Sequence, residues 1–241
     1  MKKLRLATIA LLIPLISVQA QTASSNEMSS TKHVYSKCGV ADNSIAITFD
    51  DGPHPEHTPK LLDMLKERNV HATFYVIGKN VIAYPEIIKR MVEEGHEIGN
   101  HTWNHPSLTK LSASKVAQEM NATSRIIEDI TGIKPATMRP PYGATNATLN
   151  KRHDEEFGMK VILWSVDPMD WKYRDAERVS SQIIEATKPG DIVLAHDIHG
   201  STVAAMPKTL DALLEKGFNF VTVSEIIAAD TSNSAPMPKF R

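Results

Sequence analysis

The sequence predicts an α/β fold with a parallel sheet that can be rolled into a barrel. Two observations predict it. Short apolar segments alternate with helical segments along the chain, which is typical of βα units. Polar clusters also directly follow some of the apolar segments. Because side chains at the carboxyl ends of barrel strands line the active site, these clusters are expected to lie at the catalytic end.

The alternation begins at residue 44 and continues to residue 223. Apolar segments of strand length predict strands, and longer segments with apolar residues at helical spacing predict helices. In chain order the sequence predicts a strand at 44–49, a helix at 58–68, a strand at 70–77, helices within 85–94 and at 112–130, a strand at 160–165, a helix at 176–187, a strand at 191–195, a helix at 210–216 and a strand at 219–223.

The two ends of the chain differ in composition from the middle. Residues 1–20 have a positive start, a short apolar stretch and small residues at the end, which predicts a cleaved secretory signal. No cysteine lies directly after the apolar stretch, so we expect no lipid anchor. The signal itself predicts export to the periplasm or the exterior. Residues 21–42 are expected to be a polar lead-in, 43–229 the catalytic domain and 230–241 a flexible tail.

Composition restricts the class of protein. The 241 residues are 41% hydrophobic and 23% charged, as expected for one globular domain with a sizeable core. The net charge of −1 gives no reason to expect a nucleic-acid partner. Cys38 is the only cysteine, which excludes an internal disulfide, and its place in the lead-in argues against a nucleophilic role. We expect a monomer.

Two histidines and two carboxylates have the character of a metal site. His101 and His105 are four residues apart, so they can face the same way on one helical turn and hold a single ion. Asp50 and Asp51 are adjacent carboxylates, whose repulsion is relieved if a cation binds one of them. One carboxylate would complete the metal site and the other would serve as general base.

Two further clusters contain groups that suit acyl transfer. Arg139 is followed by two prolines that stiffen its loop, so its guanidinium can orient a carboxylate. The backbone N–H of Tyr142 can then point into the site as an oxyanion donor. Asp170 and Trp171 offer a carboxylate and a large apolar wall, although a tryptophan in such a place is often simply part of the core.

The last cluster ends an apolar strand. His196 directly follows that strand, and Asp197 and His199 make the segment polar where the strand stops. This position favours a proton-transfer role for His196 over a buried structural one. The sequence gives His199 no defined role beyond a second acid or a substrate contact.

Five polar clusters, taken in order, resemble the polysaccharide deacetylase family (carbohydrate esterase family four). They lie at 48–53, 101–105, 139–142, 167–171 and 194–197, and the resemblance covers 44–227. It implies a distorted (β/α) barrel with about seven parallel strands and an active site at their C-terminal ends. It also implies removal of acetyl groups from N-acetylglucosamine polymers or from xylan.

The resemblance implies a role for each catalytic residue. Asp50 would be the general base, and Arg139 would hold it in place. His196 would be the general acid, and Asp170 would tune it. Tyr142 would stabilise the oxyanion through its main chain.

The resemblance also implies a metal site and an acetyl pocket. Asp51, His101 and His105 would hold one divalent ion, with zinc expected and cobalt or manganese as alternatives. Trp171 and Leu194 would form the apolar pocket for the acetyl methyl group.

The expected activity is therefore metal-dependent N-deacetylation of N-acetylglucosamine residues in peptidoglycan or a chitin-type polysaccharide. An acetyl-xylan esterase using the same residues is an alternative, because the clusters do not separate amide from ester substrates. A non-catalytic carbohydrate-binding protein is a remote alternative, since such a protein is expected to have lost at least one of Asp50, His101, His105 and His196.

Overall fold

Eight strands form the sheet in the computed structural model, which describes residues 32–232. Each strand pairs in parallel with its neighbours. The strands are β1 (Val34–Tyr35), β2 (Ser44–Asp50), β3 (Thr73–Val76), β4 (Glu97–Asn100), β5 (Thr137–Met138), β6 (Lys160–Ile162), β7 (Ile192–His196) and β8 (Asn219–Phe220). The predicted signal at 1–20, the lead-in as far as 31 and the tail from 233 lie outside the described residues.

Helices connect the strands and cover the sheet. They are α1 (His57–Glu67), α2 (Gly78–Ala83), α3 (Pro85–Glu93), α4 (Ala113–Thr131), α5 (Ala147–Glu155), α6 (Asp170–Tyr173), α7 (Ala176–Ala186), α8 (Gly200–Glu215) and α9 (Val223–Ala228). Short 3₁₀ turns occupy Leu108–Lys110 and Pro141–Gly143. Among residues 32–232, no helix combines the length and apolar character needed to cross a membrane.

The strand order is β1-β6-β5-β4-β3-β2-β7, and β8 pairs with β2 beside this path. The ladder does not close between β1 and β7. Instead, the chain after β6 reaches β7 through a single bridge from Val166 to Val193, and Lys37 bridges to Asp191. The predicted α/β class with a parallel sheet is confirmed, and the sheet is joined across its two ends by isolated bridges.

Strand β2 pairs with three other strands, β3, β7 and β8. All seven of its residues are buried, and Phe49 stacks on Phe74 of β3 at 5.4 Å between ring centroids. The register places Asp50 opposite Tyr75 on one side and opposite His196 on the other. The last residue of β2 is thus beside the last residue of β7, and both side chains reach the same end of the sheet.

The structure contains short elements that the sequence analysis did not predict. Strands β1, β4 and β5 have two to four residues, too few for a hydrophobic period to develop. β1 lies in the segment expected to be a polar lead-in, and it pairs with β6. In the segment expected to be a tail, Asp230 accepts hydrogen bonds from Lys32 Nζ and Gly39 N, both at 2.8 Å.

Two predicted boundaries near the C-terminus were wrong. The helix expected at 210–216 begins at Gly200 and contains Pro207. A proline normally marks a helix break, but here the buried face of α8 keeps the helix continuous. The strand expected at 219–223 stops at Phe220 because Thr222 starts α9 with a capping box.

Candidate active site

A cavity of about 470 Å³ opens at the carboxyl ends of the strands. The predicted site residues line it, except for Arg139 and Asp170, which lie behind the wall and bond to residues that do. The complete lining is Asp50, Asp51, His101, His105, Pro140, Tyr142, Gly143, Trp164, Asp167, Trp171, Leu194 and His196.

Asp50 is buried and is held by a buried arginine. Arg139 Nη1 donates to Asp50 Oδ1 at 2.7 Å and to Thr48 Oγ1 at 2.6 Å. The rest of the guanidinium donates to the carbonyls of Ile162 at 3.3 Å and Leu163 at 3.1 Å. The buried guanidinium is thus fully paired, and only Oδ1 of Asp50 is committed to it.

Asp51, His101 and His105 form a group of potential metal ligands whose donor atoms lie within 4.8 Å of one another. Asp51 Oδ1 lies 3.4 Å from His101 Nε2 and 3.2 Å from His105 Nε2. This Oδ1 is buried and accepts no hydrogen bond from the described residues. A buried oxygen without a donor, facing two imidazole nitrogens, fits a divalent cation that accepts nitrogen and oxygen ligands.

The orientation of His101 supports the same interpretation. Its Nδ1–H donates to the carbonyl of Arg139 at 2.6 Å, which leaves the lone pair on Nε2 directed at Asp51. Burial raises the pKa of Asp51, but the nearby His101, His105 and His196 outweigh it and lower that pKa to about 2. Burial, followed by the charge of His101, lowers the pKa of His105. Both effects favour the ligand forms, an ionised carboxylate and a neutral imidazole.

The predicted helical turn carrying the two histidines is wrong. Residues 101–105 form an irregular loop after β4, in which Thr102 has φ 66° and His105 has φ 61°. Thr102 Oγ1 accepts a hydrogen bond from His105 N at 3.0 Å, which closes the loop on itself. The histidines converge through these left-handed residues, which the four-residue spacing alone did not indicate.

His196 lines the opposite wall of the cavity and pairs with the buried Asp170 behind it. His196 Nδ1–H donates to Asp170 Oδ1, and the His196 backbone N–H donates to Oδ2, both at 2.8 Å. Thr202 Oγ1 also donates to Oδ2, at 2.7 Å. Burial lowers the pKa of His196, but Asp170, with Asp50 and Asp51 behind it, raises it to about 9. The imidazole is therefore protonated at neutral pH.

The remaining predicted residues form the mouth and floor of the cavity. Tyr142 has φ 62°, and its backbone N–H donates to no acceptor among residues 32–232. Tyr142 is 72% exposed, and its ring centroid lies 4.6 Å from that of His105. Trp171 is 48% exposed at the mouth, whereas Leu194 is almost fully buried.

Sequence reasoning gave no role to several residues of the site. Trp164 and Asp167 line the cavity. Asp197 is fully buried, accepts a hydrogen bond from Thr58 Oγ1, and leaves no room for a Cβ on Gly52. Asp167 and Asp197 belong to the polar clusters at 167–171 and 194–197. Membership of these clusters was the only indication in the sequence that they could be part of the site. Nothing in the sequence marks Thr58.

Two residues lie outside the cavity lining: His199, whose role the sequence left open, and Cys38, for which the sequence argued against a nucleophilic role. The ring of His199 is 5.7 Å from that of His196, and burial together with Arg174 lowers its pKa to about 4. A neutral His199 is thus a weak candidate for a second acid. Cys38 is buried, and burial raises the pKa of its thiol to about 11, so it is unreactive near neutral pH.

Sequence comparison finds close relatives of this chain. The peptidoglycan-N-acetylglucosamine deacetylase PgdA of Listeria monocytogenes is 48% identical over 76% of this chain and 38% of that protein. The peptidoglycan-N-acetylmuramic acid deacetylase PdaC of Bacillus subtilis is 42% identical over the same shares. This chain therefore spans well under half the length of these two relatives.

Solved structures share the fold. The structure of PdaC from Bacillus subtilis is 41% identical, with a TM-score of 0.74 over 78% of this chain and 92% of that chain. A pseudoenzyme of carbohydrate esterase family four from Bacillus anthracis is 28% identical, with a TM-score of 0.76 over 80% of this chain and 68% of that chain. The polysaccharide deacetylase family model matches residues 38–162. The chain belongs to the polysaccharide deacetylase family.

Proposed function

We propose that this protein hydrolyses the N-acetyl group of N-acetylglucosamine residues in a cell-wall polysaccharide and releases acetate. The observation that carries the proposal is the placement of two proton-transfer groups beside one ligand set. Asp50 Oδ2 lies 3.9 Å from His101 Nε2, and Asp50 is in register with His196 on the neighbouring strand. A base and an acid thus flank the same point of the cavity.

Asp51, His101 and His105 would hold one divalent cation, zinc in the first instance and cobalt or manganese as alternatives. Imidazole and carboxylate ligands suit zinc, and three protein ligands leave room for water and substrate. When bound, such a cation polarises the acetyl carbonyl and lowers the pKa of water from 15.7 to about 7. The orphaned Asp51 oxygen and the fixed orientation of His101 support this ligand set.

Proton transfer falls to the chain's own residues. Asp50 takes the proton of the attacking water, because Arg139 occupies Oδ1 and leaves Oδ2 on the ligand side. His196 then donates a proton from Nε2 to the departing nitrogen. Asp170 fixes Nδ1 and keeps the imidazole charged, so the acid is ready before the substrate arrives. The free amine leaves protonated or neutral according to the pH.

Binding of the acetyl group uses one backbone donor and two apolar side chains. The unpaired N–H of Tyr142 would donate to the carbonyl oxygen as it gains negative charge. Trp171 and Leu194 line the same cavity and would enclose the methyl group. A hydrophobic pocket of this kind binds the methyl of an acetyl group but does not distinguish an amide from an ester.

Peptidoglycan is the first choice of substrate, because the named relatives act on peptidoglycan, and chitin oligosaccharides come second. Either polymer requires export to the periplasm or beyond, which is consistent with the signal expected at 1–20. PgdA is named for N-acetylglucosamine and PdaC for N-acetylmuramic acid, and this chain is similar in sequence to both. Both sugars of peptidoglycan should therefore be tested as sites of deacetylation.

Acetate release by the zinc-loaded protein tests the proposal. Peptidoglycan, chitin oligosaccharides and acetylated xylan are compared, with and without a chelator. Release from an N-acetylglucosamine polymer that stops with the chelator is expected. Acetate release from xylan alone would indicate an esterase instead of an N-deacetylase. No acetate release from any of the three substrates, with zinc bound, would contradict the proposed function.

Matched histidine variants separate the metal site from general damage. His101→Ala is expected to lose both zinc and acetate release. His71→Ala, which replaces an exposed histidine outside the cavity, is the control and is expected to keep both. Full zinc content in His101→Ala would show that the ligand set is wrong.

A further inference from the structure

The loop that carries His101 and His105 is irregular, and its backbone N–H groups have defined partners. At its start, His101 N donates to Val76 O at 3.1 Å, and Thr102 N donates to Asn100 Oδ1 at 2.8 Å. At its end, His105 N donates to Thr102 Oγ1. These bonds fix the two ends of the loop and leave the N–H groups of residues 103 and 104 at its apex to be satisfied elsewhere.

One side chain from helix α4 satisfies both of them. Glu119 Oε2 accepts from Trp103 N at 2.9 Å and from Asn104 N at 2.8 Å. Its other oxygen, Oε1, accepts from Asn104 Nδ2 at 3.2 Å. A single carboxylate therefore receives three hydrogen bonds from the two residues that lie between Thr102 and His105. Hydrogen bonds to a charged acceptor are stronger than neutral ones.

Helix α2 holds the opposite side of the same loop. Gly78 N donates to Thr102 O at 3.0 Å, and Lys79 N donates to Trp103 O at 3.3 Å. A Cβ at Gly78 would collide with the Trp103 ring, so α2 and the loop are in close contact. The loop is thus fixed between backbone donors from α2 and the carboxylate from α4. Within residues 32–232, Glu119 is the side chain that bonds its apex.

We propose that Glu119 is a positioning residue that sets the affinity of the Asp51, His101 and His105 site for its cation. The loop has left-handed residues at Thr102 and His105, conformations that persist only where surrounding contacts enforce them. Without the carboxylate, the apex N–H groups would turn toward water and His105 would no longer be held beside Asp51. This inference rests on the proposed metal site and adds to it a residue that contacts neither metal nor substrate.

Zinc affinity of the metal-free protein is the direct readout, measured by competition with a chromophoric chelator. Glu119→Ala is expected to raise the zinc Kd by about 10-fold, the lower end of the range seen when a direct partner of a metal ligand is lost, because Glu119 bonds the residues between the ligands and not the ligands themselves. Glu119→Gln keeps an oxygen for the apex N–H groups and loses the Asn104 side-chain contact, so a smaller rise is expected. Glu128→Ala is the control, because Glu128 is exposed on the same helix.

A second measurement separates positioning from stability. The Tm of the metal-free variants should match that of the wild type to within a few degrees, and acetate release should recover at saturating zinc. An unchanged zinc Kd in folded Glu119→Ala would overturn the inference, as would an equal rise in Glu128→Ala. If Glu119→Ala does not fold, Glu119→Gln decides, and a zinc Kd equal to that of the wild type refutes it. Because zinc binding is measured without substrate, failure of the proposed deacetylation leaves this result interpretable.

Discussion

Replacing Asp170 with asparagine removes one charge from the pair that keeps His196 protonated. The amide can still fill the space and accept from the His196 backbone N–H, as the Asp170 carboxylate does at 2.8 Å. What it cannot supply is the negative charge beside Nδ1. Burial of His196 remains, and burial alone lowers the pKa of an imidazole.

The magnitude follows from the raised pKa. Asp170 and the neighbouring carboxylates raise the pKa of His196 from 6.5 to about 9, which corresponds to roughly 3 kcal/mol in favour of the charged form. Without Asp170 we expect that pKa to fall to or below its ordinary value. At pH 7.5 the protonated fraction of His196 would then drop from about 97% to at most about 10%. We therefore expect at least a ~10-fold loss of kcat at this pH.

The assay is the pH profile of acetate release from about pH 5 to about pH 10, a range that spans the expected pKa values. The protonated acid predominates below its pKa and is lost as pH rises through it, so the wild-type rate should fall on the alkaline side. A bound cation offsets the charge of Asp51, which places this fall somewhat below the pKa of the metal-free protein. Asp170→Asn should move the fall to lower pH by about two units.

Asp167→Asn is the matched control, since Asp167 belongs to the same cluster but accepts its hydrogen bond from Met169 N. In Asp167→Asn, the rate of acetate release should decrease at the same alkaline pH as in the wild type, whatever the substitution does to substrate binding. NMR titration of His196 in the metal-free proteins checks the pKa itself. Two results would refute the reasoning. One is a rate of acetate release that decreases at the same alkaline pH in Asp170→Asn as in the wild type. The other is a pKa near 6.5 for His196 in the wild-type protein.

Two more predictions concern Asp50 and its partner. Asp50→Asn should retain zinc, because the proposed ligands are untouched, and should lose acetate release; measured turnover near that of the wild type would contradict a base role for Asp50. Arg139→Met should leave the buried Asp50 carboxylate unpaired and destabilise the fold by about 3–5 kcal/mol in denaturant unfolding. Double replacement of Arg139 and Asp50 by apolar residues should recover part of that loss, and no recovery would show that the pair is not the cause.

The sequence alone was sufficient for the α/β class and for which clusters would meet. The apolar segments of β2 and β7 end at Asp50 and His196, and parallel strands bring such ends to one edge of the sheet. It was also sufficient to indicate that His101 and His105 could share an ion with a neighbouring carboxylate. These conclusions depend on residue types and local order, which are present in the chain before it folds.

The shortest strands could not be predicted in this way. β4 and β5 are strands because they pair with segments distant in sequence. Their own two to four residues are too few to specify a strand. The same holds for α8, where burial against the core outweighs the break that Pro207 signals. Tertiary contacts decide such elements, because local propensity is too weak to do so.

What only the tertiary structure decided is the set of partners around each functional group. The spacing of His101 and His105 suggested a helical turn, whereas left-handed residues and the Glu119 carboxylate from α4 shape an irregular loop. Likewise, the charge of His196 depends on Asp170, which lies 26 residues away in sequence. Residue types fix which groups can ionise or bind a cation. Their pKa values and orientations follow from contacts between distant segments, which exist only in the folded chain.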